Sequence, residues 1–450
     1  MNTSFASTTT ARRSHIEAQR MAWGILLISF AIFCVVCTTI GVSLYYFLFE
    51  SMVPLSSSVQ VGRGTIGVSD QIVRRERSLV NGDTLSTDLQ SQATVFLSDP
   101  QQDNRLVAIL TIYGDTSLVL RRSLRPRFDW SGVPYTLDLR DFSGEMDIVV
   151  PPGNQRGFRL SASTVQGHWI DLGAEGTYSI RSIPAETWVA NYGGQTIIIP
   201  ANQSSGRDVP VGSIGLIRAE RSDLVEIRPA IVNLLGSSRI QDILFSAAQG
   251  GAPSEPQWVC SNTQVNLPQG SFESTFKDGR SVLRLVRGEG ATANGETRCL
   301  VYFGQGGWDV SGYDYLELRA TFNLQYQSLS ACGVAGSECP LMLRIDYIDQ
   351  NGKEQIWYHG FFYLLDPQLN YPMSCSSCRQ DHEVINEKAW FTYDSGNLFT
   401  LMGPDQMPRQ IVNVQFYASG HQYDVLVSDL GLYVRQPNGV PVDAGVPGQS

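Results

Sequence analysis

Residues 21–49, MAWGILLISFAIFCVVCTTIGVSLYYFLF, carry no charge over 29 positions. About 20 apolar residues suffice to cross a ~30 Å hydrocarbon core as a helix. A helix is also the open-chain form that satisfies its own backbone in lipid. The polar side chains Ser29, Thr38, Thr39 and Ser43 can bond back to helix carbonyls, and Trp23, Tyr45 and Tyr46 suit the interfacial belts. Arg12, Arg13 and Arg20 precede the run, Glu50 follows it, and Arg63 is the first basic residue beyond it. The positive-inside bias therefore predicts a short cytoplasmic tail at 1–20, a transmembrane helix at 21–49 and an extracytoplasmic remainder. The run is about twice the length of a cleaved signal's apolar region, and FESMVPL after it offers no small-x-small site. The flanks of Arg12-Arg13 do not fit a twin-arginine signal.

The remaining residues suffice for two domains with cores of their own. Charged residues make up 17%, while Gly (42) and Pro (21) are plentiful, which favours turn-rich β structure over helix. The net charge of −10, with no basic stretch interleaved with aromatics, argues against nucleic acid as a partner.

Residues 50–59, with Pro54 and Ser56-Ser57-Ser58, read as a linker. From 60 to 230, short β-branched and aliphatic runs recur at about 8–12 residues between Gly, Asp, Asn and Pro turns, the pattern of an all-β sandwich, barrel or roll. Runs 93–97, 106–113, 135–139, 146–150 and 195–199 are examples. Three motifs stand out: Gly82-Asp83-Thr84-Leu85-Ser86-Thr87; the stretch 137–150 with Gly144 at a turn; and Gly176-Thr177-Tyr178-Ser179-Ile180. Together they resemble the periplasmic domain of FecR-like proteins, in which the second motif forms a hairpin. The resemblance implies a β-structured sensing or interaction module without catalysis. FecR regulators also carry a folded cytoplasmic segment that meets a sigma factor, and residues 1–20 are too short to form one.

Residues 231–256 read as a helix, with Ile240, Ile243, Leu244 and Ala247 at helical spacing, followed by a Gly/Pro-rich linker. From 257 to 437 the strands lengthen, and 315–322 and 341–347 alternate cleanly. The early DGRSVLRL strand, then WDVSGY ahead of a long strand, then a closing strand near 430–434, look like a galactose-binding-like or carbohydrate-binding jelly roll. Residues 438–450 read as a flexible tail.

Cys34 and Cys37 fall within the apolar run, while Cys260, Cys299, Cys332, Cys339, Cys375 and Cys378 all lie in the last 200 residues. Six cysteines outside a membrane predict disulfides, with 15 pairings open to the sequence. The shortest loops would join Cys332 to Cys339 and Cys375 to Cys378, leaving Cys260 with Cys299. The alternative is a zinc site in which Cys375-x-x-Cys378 is joined by Cys332 and Cys339 as two more thiolates, with His382 nearby, and zinc would need four convergent ligands. We expect disulfides and no metal or other cofactor.

No G-x-S-x-G or H-E-x-x-H motif is present, so no catalytic residue is assigned. Glu317 with Asp346 or Asp349 would be the carboxylate pair for glycoside hydrolysis. The aromatic runs 357–363 and 390–393 offer Trp357, Tyr358, His359 and Trp390 as ligand-binding candidates, because aromatic faces stack on sugar C–H surfaces. The competing reading buries them in a sandwich core. The chain thus reads as an all-β, single-pass protein of a prokaryotic cell envelope. It is expected to be non-catalytic, to bind, sense or scaffold, and to take a carbohydrate or an envelope protein as partner. The rivals are an envelope glycan hydrolase and a FecR-type regulator of a sigma factor.

Overall fold

The computed structural model describes residues 9–153, 156–236, 258–263, 266–304 and 306–437. The helix expected within 231–256 (at 237–247) and the tail at 438–450 lie outside the described residues. Two units are resolved by their contacts: one holds the N-terminal segment through Val53 together with 124–134, and the other holds 54–123 and everything from Tyr135 onward.

In the first unit a helix runs from Thr9 to Tyr45 and ends in a wider turn at Tyr46–Glu50. Helix therefore begins inside the segment read as a short cytoplasmic tail. From Gln19 to Glu50 it is long and apolar enough to cross a membrane. Thr38 and Thr39 donate to the carbonyls of Cys34 and Val35, each at 2.7 Å, so that both hydroxyls are satisfied within the helix. Segment 124–134 packs on the helix's end. Trp130 Nε1 donates to Leu48 O at 3.2 Å, and Phe128 lies edge-on to Phe47.

The second unit contains two β modules. In the first, nine antiparallel strands form one sheet in the order Glu76–Leu79, Ser56–Arg63, Gln92–Asp99, Arg105–Ile112, Tyr135–Val150, Gly176–Ile183, Glu186–Asn191, Ser213–Arg218, Arg221–Pro229. A second sheet carries Ile66–Val68, Thr84–Thr87, Ser117–Pro126, Phe158–Thr164, Trp169–Leu172 and Thr196–Ile199, and the strands close into a barrel. Residues 56–59, read as linker, belong to a strand instead. Val59 and Val61 alternate with polar neighbours and are fully buried, and that alternation outweighs the serine run.

Tyr135–Val150 corrects the hairpin expected at 137–150. It is a single strand of 16 residues that belongs to both sheets, its first half pairing Phe158–Thr164 and its second half Gly176–Ile183. Tyr135, Leu137 and Leu139 point inward, then Phe142, Met146, Ile148 and Val150 do. The alternation slips by one at Asp141, whose φ is 51°, the signature of a bulge. Gly144 does not turn the chain back. With φ at 109° it lets the strand bend where a Cβ would strike Thr116.

The second module is a β-sandwich. One sheet runs Ser271–Lys277, Arg280–Arg287, Tyr423–Arg435, Tyr315–Gln327, Trp390–Asp394, and the other runs Trp258–Asn262, Gly295–Tyr302, Pro408–Gly420, Leu341–Asp349, Glu354–Phe362, Glu383–Val384. Leu316, Leu318, Phe322, Leu343, Ile345, Trp357, Phe361 and Phe416 fill the space between the sheets. Disulfides join Cys260–Cys299, Cys332–Cys339 and Cys375–Cys378.

The two modules are bonded along a common seam. The Gln92 side chain acts like a strand edge: Nε2 donates to Thr392 O and Oε1 accepts from Thr392 N, both at 2.7 Å. Gln60 Oε1 accepts from Trp390 N at 3.0 Å, Asn386 Nδ2 donates to Val61 O at 2.9 Å, and Arg63 pairs with Glu383 at 2.6 Å. Gly62 sits so close that a Cβ there would collide with Trp390 O.

Candidate functional site

Beside this seam the modules leave a cleft of about 1100 Å³. The barrel supplies Glu145, Arg181, Trp188 and Tyr192 from adjacent strands, and the sandwich supplies Tyr315, Glu317, Arg319, Asp394 and Arg435. Side chains two apart on a strand share a face, which is why Glu317 and Arg319 both reach the cleft. Trp188 and Tyr192 are half-buried.

Arg319 organises the floor. Its Nε donates to Glu317 Oε1 at 2.8 Å, Nη1 to Asp147 Oδ2 at 3.3 Å and Nη2 to Asp394 Oδ2 at 3.4 Å, and its guanidinium lies over the Tyr433 ring. Asp147 also accepts from Tyr113 Oη at 2.6 Å and from Ser179 Oγ. Tyr315 Oη donates to Glu317 Oε2 at 2.5 Å. Three carboxylates therefore share one guanidinium. Burial pushes the Glu317 carboxyl up to about 7, against the pull of Arg319, and the Asp394 charge adds to the rise. Burial also raises Glu145, with Arg181 opposing it.

Chemically, this is a cleft lined by charged groups, some already paired with one another, and by the half-buried aromatic residues Trp188 and Tyr192. Such a groove can hold a neutral polyhydroxylated ligand by stacking and by hydrogen bonds to charged groups.

The residues singled out from sequence are placed differently. Trp357, His359 and Trp390 are fully buried, which corrects the platform expected of them. On Glu354–Phe362 the positions of Trp357, His359 and Phe361 face the sandwich core, where His359 stacks on Tyr393 at 4.7 Å. Tyr358, on the opposite face, is half-buried with Arg344 over its ring. Trp390 serves the seam: its ring packs with Val282, Leu426 and Phe96, and Nε1 donates to Asp278 at 2.9 Å.

The carboxylates are also regrouped. Asp346 is held by Arg344 and Asn413, and Asp349 accepts from the Asn351 and Lys353 amides. Both are on the sheet opposite Glu317, whose acidic neighbours are Asp394 and Asp147.

The sulfurs of Cys332 and Cys339 do approach His382, within 4.8 Å. They are joined as a disulfide, however, and His382 Nδ1 accepts from Gly360 N while Nε2 bonds Gly336 O. No nitrogen lone pair or thiolate is left there for zinc. Sequence reasoning missed Arg319 and Asp147. Only the Glu317-x-Arg319 spacing hinted at a shared face, and nothing local pointed to a partner 172 residues away.

No known family profile matches the sequence, and no curated protein does. Among solved structures, the chain is similar to a protein assigned as an anti-sigma factor from Parabacteroides distasonis ATCC 8503, at 10% identity and a TM-score of 0.20, covering 32% of this chain and 57% of that one. It is similar to a family 11 carbohydrate-binding module of Clostridium thermocellum at 10% identity and a TM-score of 0.24, over 43% of this chain and 94% of that one. A family 61 carbohydrate-binding module follows at 8% identity and a TM-score of 0.23, over 45% and 99%. Likenesses this faint carry no argument about activity.

Proposed function

We propose that this is a single-pass membrane protein whose β modules lie outside the cytoplasm and bind a carbohydrate in the cleft between them, without catalysis. The observation that carries the reading is the cleft itself: part-buried Trp188 and Tyr192 line it together with Tyr315, Glu317 and Arg319. Support for the topology comes from the apolar helix, the arginines before it and three disulfides confined to the β region.

Full-length protein in nanodiscs, screened on a glycan array and then by calorimetry, tests the binding. The expected result is a bound glycan whose affinity falls at least ~10-fold in Trp188→Ala, the loss of one stacking contact. Absence of any glycan, or undiminished binding in that variant, overturns the proposal. Protease added to intact cells should degrade the β region and spare the amino terminus.

The hydrolase reading has one observation in its favour, the raised carboxyl of Glu317 beside Asp394. Release of reducing ends that disappears in Glu317→Gln would establish it. The paired state of every oxygen on Glu317 favours binding instead.

A further inference from the structure

A second cleft, about 1110 Å³, opens elsewhere along the seam, and His359 lines it. His359 is buried to 1% exposure, yet its Nε2 has no hydrogen-bond partner. A buried orphan nitrogen calls for an explanation, and an ion is one. Glu383 Oε1 is 3.4 Å from Nε2 without meeting hydrogen-bond geometry, while the other oxygen of Glu383 is held by Arg63 at 2.6 Å. Zinc takes histidine nitrogen at about 2.0–2.1 Å and carboxylate oxygen at about 2.0–2.2 Å. Two such arms at a tetrahedral angle set nitrogen and oxygen about 3.4 Å apart, with the oxygen well off the ring's lone-pair axis.

We propose that this cleft binds a divalent transition metal of the zinc type, with His359 Nε2 and Glu383 Oε1 as protein ligands and water completing the shell. The surroundings suit it. Asp88, Asp115 and Asp381 line the same cleft and concentrate cations there. The far ring nitrogen, Nδ1, is 2.6 Å from the Gln380 amide, which also touches Tyr393 Oη at 3.2 Å. With that amide turned, its oxygen accepts from Nδ1–H and from the Tyr393 hydroxyl, the support a metal-bound imidazole requires. Stacking on Tyr393 fixes the ring plane.

The site is independent of the carbohydrate reading. The test uses the full-length chain without a polyhistidine tag, stripped with EDTA and titrated with Zn²⁺ by calorimetry, and with Co²⁺ by visible absorption. The expected result is one equivalent bound, with affinity reduced ~10–100-fold in both His359→Gln and Glu383→Gln. His382→Gln, whose ring is already bonded at both nitrogens, should still bind one equivalent. Glu383 is partly exposed, so its variant reports on the site even where loss of buried His359 disturbs folding. No saturable binding by the unmodified protein, or equal binding by Glu383→Gln, overturns the proposal, as does loss of binding in His382→Gln alone.

Discussion

Arg319 of the sandwich donates to Asp147 of the barrel module at 3.3 Å, and the same guanidinium holds Glu317 at 2.8 Å. The bond spans 172 positions of sequence and lies at the floor of the cleft. It makes one part-buried cation answerable for carboxylates on both modules.

Replacing that cation should therefore be costly. Arg319→Met leaves buried Glu317 and part-buried Asp147 without their counter-charge, and stability should drop by about 3 kcal/mol in chemical denaturation. Asp147→Asn, which keeps the hydrogen-bonding shape, should cost less. Equal, small effects from both would show that the network contributes little.

Gln92 supplies the seam with a side-chain copy of a backbone pairing. In Gln92→Ala, the buried amide and carbonyl of Thr392 lose their partners, at roughly 1–3 kcal/mol for each group left unsatisfied. Hydrogen exchange should rise at Thr392 and at Trp390, while the sandwich core around Phe416 stays protected.

The seam also has no room to spare. Gly62→Ala places a methyl against Trp390 O, and crowding of this kind costs about 1–3 kcal/mol. Gly212→Ala makes a useful contrast: its φ is 76° but no atom lies near, so only backbone strain is felt there. A thermal melt of both separates contact from strain.

The pH dependence has a definite sign. The folded carboxyl of Glu317 titrates near 7, above its ordinary 4.5, so the folded state binds its proton first. Its contribution to stability is greatest below about 4.5, declines as pH rises toward about 7, and levels off above that. Glu317→Gln should remove this slope from the denaturation midpoint measured between pH 5 and 8. Superimposable profiles for the two proteins would refute the assignment.

Alkylation counts the cysteines directly. Denatured but unreduced protein should take label at Cys34 and Cys37 alone, and all eight cysteines should react after reduction. More than two labels without reductant would show a disulfide missing.

Features that are local could be read from the order of residues alone. An uncharged run of 29 residues has one open-chain way to satisfy its backbone in lipid, so the helix is legible in the residues themselves. Period-two alternation likewise marked the long strands Tyr315–Gln327 and Leu341–Asp349, because the pleat alone decides which side chains share a face. What alternation cannot say is which buried face meets which. Trp357 and Trp390 look alike as aromatic positions, yet one fills the sandwich and the other seals the seam against Phe96. The break in phase at Asp141 joined two expected strands into one, since a bulge is visible only once its partners are in register. The cleft around Arg319 came from the packing of two modules, with Asp147 and Arg319 meeting across 172 positions, and chain connectivity carries no trace of such a distance.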